Sequence, residues 1–144
     1  MSKEATAKTN VVLVDAVRTP FGKAGSLYSE TRADDIMVRC LRGLLERNPN
    51  LPADQIDDVA IAAATQTGDQ GMNIGRSVAI LAGIPKSVPG YSIDRWCAGA
   101  LTAVTTIAGG INMGAYDLAI AGGVEHMGHH PMGDGMDPNP RYLA

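Results

Sequence analysis

The chain has 144 residues, with 12 Lys and Arg against 15 Asp and Glu, so its formal net charge is −3 at pH 7. This length suits one domain with a hydrophobic core, and 45% hydrophobic with 19% charged residues excludes a disordered chain. The slightly acidic balance argues against a nucleic-acid-binding protein, which needs a basic surface to pair with phosphates.

The first half of the chain predicts a strand, a helix and a second strand. The apolar, β-branched run at 11–17 is typical of a strand covered on both faces. Residues 31–47 have the spacing of an amphipathic helix, with Asp34 and Asp35 near its positive end. A second buried strand is predicted at 58–64.

The second half continues the alternation of strands and helices. A helix is predicted at 73–82, strands at 88–94 and 117–121, and a helix rich in Ala, Gly and Thr at 98–114. This order indicates an α/β layer fold with crossover connections. The Gly and Pro residues at 128–140 predict an irregular segment outside the layers.

Cysteine content and hydropathy bear on the location of the protein. Two cysteines, Cys40 and Cys97, are too few for a disulfide framework and favour free thiols in a reducing compartment. The polar start of the chain lacks the apolar run of a secretory signal, so we expect a cytoplasmic protein. Residues 96–116 carry no charge, but their small-residue content favours a helix buried on all sides over a membrane span.

Cys97 lies at the junction of the third predicted strand and the small-residue helix. A thiol in the first turn of a helix faces unpaired backbone N–H groups and the positive end of the helix dipole, both of which favour the thiolate. The same N–H groups suit the oxyanion of a tetrahedral adduct. The position predicts an activated nucleophile, with a small buried cysteine as the alternative. Cys40 lies inside the amphipathic helix and is interpreted as structural.

Three histidines near the end of the chain suggest a metal site as an alternative. His126, His129 and His130 are spaced like residues on one helix face, with Glu125 and Asp134 nearby. Gly and Pro among them disfavour a regular helix, and no recognised pattern supplies a fourth ligand. We therefore expect no metal and interpret the histidines as solvated loop residues.

Four segments occur in a fixed order over nearly the whole chain. They are Val-Arg-Thr-Pro-Phe-Gly-Lys at 17–23, Gly-Asp-Gln-Gly with Asn-Ile-Gly-Arg at 68–76, Arg-Trp-Cys-Ala-Gly-Ala at 95–100 and Ala-Gly-Gly-Val-Glu-His-Met at 121–127. Together they resemble the signature motifs of thiolases, the acetyl-CoA acyltransferases and acetyltransferases. Asp94 and His126 stand where that family usually has Asn and Ser.

The resemblance implies a thiolase-like layered αβα domain with a mixed sheet, the N-terminal domain of a two-domain αβαβα architecture. Residues 1–124 would be the first part of that domain and residues 125–144 the start of the loop region, cut off. Cys97 would be the catalytic nucleophile, which holds the acyl group as a thioester and passes it on in a ping-pong reaction. The histidine that activates this cysteine in the family, and a second catalytic cysteine, belong to motifs outside this sequence, so the chain is expected to be inactive alone.

The resemblance also implies acyl-CoA and CoA as substrates and a place in fatty-acid metabolism, including β-oxidation. It implies no tightly bound cofactor, no metal and a homodimer or homotetramer; no cofactor-binding residue is assigned. Two alternatives stay open. One is a related condensing enzyme that uses acyl-carrier-protein substrates, and the other is a non-catalytic truncated product or half-subunit.

Overall fold

The computed structural model describes residues 11–142. It contains three α-helices, three β-strands and four short 3₁₀ turns. In chain order the helices and strands are α1 (Ala33–Arg47), β1 (Asp58–Ala62), α2 (Ile74–Ala82), β2 (Tyr91–Ile93), α3 (Gly99–Asn112) and β3 (Ala119–Gly123). The 3₁₀ turns are Ala53–Gln55, Gly68–Gln70, Trp96–Ala98 and Pro140–Tyr142.

The three strands form one sheet in the order β2–β1–β3. Both pairings are parallel, with Ala60 opposite Tyr91 on one side and opposite Ala121 on the other. The alternation of strands and helices therefore forms an α/β fold with crossovers, as predicted. The predicted mixed character of the sheet is not seen, because every pairing within residues 11–142 is parallel.

The sheet lies between two helical layers. Val59 and Ile61 on one face of β1 belong to a core cluster with α1 and α2, while Ala60 on the other face packs with Ala103 and Ile107 of α3. The side chains alternate because successive residues of a strand point to opposite faces. This arrangement confirms the αβα layering.

Small residues bring α3 close to the sheet. A Cβ atom added at Gly99 would lie 2.8 Å from the Cβ atom of Ala62, and one added at Gly123 would lie 2.9 Å from that of Ala100. The prediction that α3 is buried on all sides was wrong, since Leu101 is 69% exposed. No helix within residues 11–142 is both long enough and apolar enough to cross a membrane.

The predicted strand at 11–17 is not formed. The segment makes no ladder hydrogen bonds in the described structure, and Leu13 is 83% exposed. Asp15 ties it to the end of α1, accepting hydrogen bonds from Arg47 (2.9 Å) and Asn48 (2.8 Å). A groove of about 830 Å³, the apolar groove, is lined by residues 15–24 and by residues 120–128. A strand needs a neighbouring strand to pair its backbone hydrogen bonds. Within the described residues the segment 11–17 borders this groove and pairs with no strand.

Candidate active site

Cys97 lies in a sharp turn between β2 and α3. Its 3₁₀ turn, Trp96–Ala98, directly precedes α3, so Cys97 stands just before the helix rather than in its first turn. Trp96 has φ +47°, a left-handed conformation that is unfavourable for a residue with a side chain. Ala98 N–H closes the turn on the Arg95 carbonyl at 3.1 Å. Strained backbone of this kind is concentrated at functional sites.

Cys97 lines a cleft of about 350 Å³, which we call the Cys97 cleft. Its walls come from three places: the Cys97 turn with the start of α3, residues 62–64 at the end of β1, and residues 123–125 at the end of β3. These segments meet because parallel strands end at the same edge of a sheet, which is where α/β folds bind ligands. Cys97 is exposed, so its Sγ atom is accessible to a carbonyl group that enters the cleft.

No histidine lines the Cys97 cleft in the described structure. Glu125 is the acidic residue that lines the cleft together with Cys97. Its carboxylate accepts hydrogen bonds from Ala64 N–H at 2.6 Å and Gln70 Nε2 at 2.9 Å. Cys40 lines the apolar groove instead and packs against the core, which agrees with a structural role. Within the described residues the cleft thus presents an exposed cysteine together with one carboxylate and no histidine.

Comparison with known proteins decides the family. Residues 11–143 match the family described as thiolase, N-terminal domain. The chain belongs to the thiolase family. It is 43% identical over 129 residues to a 3-ketoacyl-CoA thiolase of Aliivibrio salmonicida, covering 89% of this chain and 33% of that protein. A 3-ketoacyl-CoA thiolase of Serratia proteamaculans is 44% identical over 132 residues, covering 91% of this chain and 34% of that protein.

The fold comparison agrees. The crystal structure of the Bacillus anthracis acetyl-CoA acetyltransferase matches with a TM-score of 0.78 and 29% identity, over 92% of this chain and 35% of that one. The predicted thiolase-like fold is therefore confirmed. The thiolase chain spans about one third of the length of the curated relatives it matches.

The three histidines, which we call the histidine cluster, were predicted to be solvated loop residues, and for His126 and His130 that prediction was wrong. His126 is 7% exposed and His130 is 9% exposed. One ring nitrogen of His126 lies 2.9 Å from the Tyr28 carbonyl, and its ring stacks on that of His129 at 3.8 Å between centroids. No group of three or more metal-ligating side chains is assembled within the described residues.

Asp69 anchors the histidine cluster to the body of the domain. Its carboxylate lies 2.6 Å from Nε2 of His130 and 3.2 Å from Nδ1 of His129, and accepts a 2.9 Å bond from Ala33 N–H at the start of α1. Nδ1 of His130 lies 3.0 Å from the Asp134 carboxylate. Because both ring nitrogens of His130 face carboxylates, its protonated form satisfies them both.

These contacts shift the pKa values of the cluster. Burial raises the pKa of Asp69, but the Ala33 N–H and the two histidines outweigh it and lower that pKa to about 2. The hydrogen bond to the Asp134 carboxylate raises the pKa of His130, and Asp69 adds to this increase, while burial acts in the opposite direction. The Ser29 carbonyl and then Asp69 raise the pKa of His129.

The stability of the chain should therefore depend on pH in both directions. Asp69 contributes about 2 kcal/mol to the free energy of unfolding, present above pH ~4 and lost as the pH falls towards about 2. The histidines contribute fully below pH ~6.5, and their contribution is lost as the pH rises through their raised pKa values. Urea unfolding at a series of pH values should show greatest stability between about pH 4 and 6.5.

The Asp69→Asn variant should show a shallower acid-side dependence, because its amide does not titrate while Asp15, Asp57 and Asp134, whose pKa values are also lowered, still do. Asp54→Asn is the matched control, since Asp54 is exposed and has no hydrogen-bond partner within the described structure. The same acid slope in both variants would contradict the assignment to Asp69. Sequence reasoning missed Asp69 and Gln70 as structural anchors, and the only signal was their place in the Gly-Asp-Gln-Gly segment.

Proposed function

We propose that this chain supplies the acyl-accepting cysteine of a thiolase. The enzyme would exchange an acyl group between 3-ketoacyl-CoA or acetyl-CoA and CoA. The observation that carries the proposal is the exposed Cys97 thiol at the mouth of a cleft where the carboxyl ends of β1 and β3 meet. The CoA substrates in the names of the relatives favour CoA over an acyl carrier protein.

The reaction would proceed in two half-reactions. The Cys97 thiolate attacks the 3-keto carbonyl, and the bond between the α and β carbons breaks, leaving an acyl-thioester on Cys97. The departing acetyl-CoA carbanion takes up a proton. The CoA thiol then gives up its proton and attacks the thioester, which releases acyl-CoA and restores the Cys97 thiolate. Both proton transfers need acid–base groups, which we assign to the part of a thiolase beyond this match.

We further propose that the chain acts as the first part of a two-domain enzyme, with residues 1–124 in the N-terminal domain and residues 125–144 opening its loop region. Two observations support this. The chain matches only a third of its relatives' length. The apolar groove carries exposed apolar side chains, among them Leu13 and Phe21, and lies beside β3, which pairs on one edge only within the described residues. Covering this groove is favourable because it removes apolar surface from water.

The assembled enzyme would be a cytoplasmic homodimer or homotetramer active in fatty-acid metabolism, with β-oxidation as the direction suggested by the 3-ketoacyl-CoA thiolase relatives. Two unpaired thiols, Cys40 and Cys97, support a reducing compartment. CoA enters as a co-substrate, and no tightly bound cofactor is part of the proposal.

The test compares the 144-residue chain with a completed enzyme, in which residues 11–142 replace the matching third of the Aliivibrio salmonicida thiolase. Thiolysis of acetoacetyl-CoA by CoA is followed as loss of the substrate's absorbance. We expect turnover by the completed enzyme and none by the isolated chain. A folded, assembled completed enzyme that binds CoA but does not cleave the substrate would contradict the proposed activity. Turnover by the isolated chain would contradict its role as one part.

A further inference from the structure

Gln70 is a fully buried polar residue at the end of the Gly68–Gln70 turn, with 0% of its surface exposed. Its carboxamide Nε2 donates to the Thr65 carbonyl at 2.7 Å and to Oε1 of Glu125 at 2.9 Å. Its Oε1 accepts from His126 N–H at 2.5 Å. A buried amide that is fully paired in this way holds its neighbours in one arrangement, because any unpaired member costs desolvation energy.

Glu125 is the part of this arrangement that reaches the Cys97 cleft. Its second oxygen accepts from Ala64 N–H at 2.6 Å, so one carboxylate bridges the chain after β1 and the chain after β3. Val124 N–H reinforces the same junction by donating to the Ala62 carbonyl at 3.0 Å. Within residues 11–142 no Lys, Arg or His side chain forms an ion pair with Glu125.

The position of this negative charge matters for the thiol chemistry proposed above. Glu125 and Cys97 line the same cleft, and a carboxylate that moves towards the thiol opposes both the thiolate and a developing oxyanion. The hydrogen bonds from Ala64 N–H and Gln70 Nε2 hold the Glu125 carboxylate at the end of the sheet and prevent this movement. We propose that Gln70 is a positioning residue of the Cys97 cleft, which fixes the Glu125 carboxylate against the end of β1. The chemical role of this arrangement rests on the proposed function, whereas the hydrogen bonds that define it do not.

The direction of the hydrogen bond between residues 70 and 125 provides the test. Gln70→Glu makes two carboxylates face each other. Glu125→Gln leaves one acceptor oxygen for two donors, so its NH2 group opposes either Gln70 Nε2 or Ala64 N–H. In the double variant the amide at position 125 donates to the carboxylate at position 70, so the hydrogen bond is restored with reversed direction. Oxygen atoms remain as acceptors for His126 N–H and Ala64 N–H, and the net charge is unchanged. It does not restore the contact with the Thr65 carbonyl, which then faces a carboxylate oxygen, and it moves the negative charge to a buried position, so recovery is partial.

Two measurements are made on the 144-residue chain and on each variant: hydrogen exchange at Ala64 N–H, and iodoacetamide alkylation of Cys97 relative to Cys40. We expect exchange at Ala64 to be about fivefold faster or more in both single variants, and slower in the double variant than in either single variant. Relative alkylation of Cys97 should fall about threefold in Gln70→Glu, rise in Glu125→Gln, and return in the double variant.

A purely structural role predicts a different pattern, because loss of stability exposes the half-buried Cys40 more than the already exposed Cys97. It would therefore lower the alkylation ratio in both single variants, whereas the proposal raises that ratio in Glu125→Gln. The proposal is overturned if the double variant exchanges as fast as the single variants, or if the alkylation ratio is the same in all four proteins. If a single variant does not fold, folding of the double variant supports the pairing and its failure overturns the proposal. Neither measurement needs thiolase activity, so failure here is distinct from failure of the proposed function.

Discussion

Replacing Cys97 with Ala in the completed enzyme should lower kcat for acetoacetyl-CoA thiolysis by about 10⁴-fold or more. The reason is that the alanine removes the atom that would carry the acyl group, and no other cysteine lines the Cys97 cleft in the described part of the chain. The KM should change little, because substrate binding does not need the Sγ atom. Initial rates at saturating and limiting substrate measure both quantities.

Cys40→Ala is the matched control for this prediction. Cys40 lies in α1 and packs against the core, away from the residues that line the Cys97 cleft. Its replacement should leave kcat within about twofold. A Cys97→Ala enzyme within tenfold of the unsubstituted rate would remove Cys97 from the chemistry, whatever the outcome for Cys40.

Replacing Gly75 with Ala should destabilise the 144-residue chain by about 4 kcal/mol or more, or prevent folding. A Cβ atom at Gly75 would lie 2.6 Å from the carbonyl carbon of Tyr91 and closer still to its oxygen. Both partners are backbone, so neither a rotamer change nor a small side-chain shift relieves the overlap. Because Tyr91 begins β2, the strand that leads to Cys97, the variant should also disturb the Cys97 turn.

Gly43→Ala provides the matched comparison. Gly43 lies inside α1, and a Cβ atom there would meet nothing within 4 Å. The higher helix propensity of Ala should then stabilise the chain by up to about 1 kcal/mol. Urea unfolding followed by circular dichroism measures both variants. Equal unfolding midpoints for the two would contradict the close packing of α2 against β2.

The elements that the sequence predicts well are those with local signals. The helix predicted at 31–47 is observed as Ala33–Arg47, because its amphipathic spacing and its ends are encoded within the segment itself. The turn that presents Cys97 was also predictable, since the end of a strand, a tight turn and the start of a helix follow one another directly. A small-residue helix was expected from 98 to 114 and is observed as Gly99–Asn112.

The features that the sequence did not predict depend on distant partners. The run at 11–17 has strand-like composition, but whether it pairs depends on what lies beside it in space. Asp69 meets His129 and His130 across 60 and 61 residues of chain, a separation that no local pattern encodes. The burial of the histidine cluster and the position of Gln70 follow from such contacts, and so they became visible only in the structure.

In the proposed reaction Cys97 accepts the acyl group. The most direct test is peptide mass spectrometry of the completed enzyme after incubation with acetyl-CoA without free CoA and rapid acid quenching. We expect one acetyl group on the peptide that contains Cys97, and its removal when CoA is added before quenching. An enzyme that turns over while its acetyl group is found on Cys40, or on no residue of this chain, would contradict it.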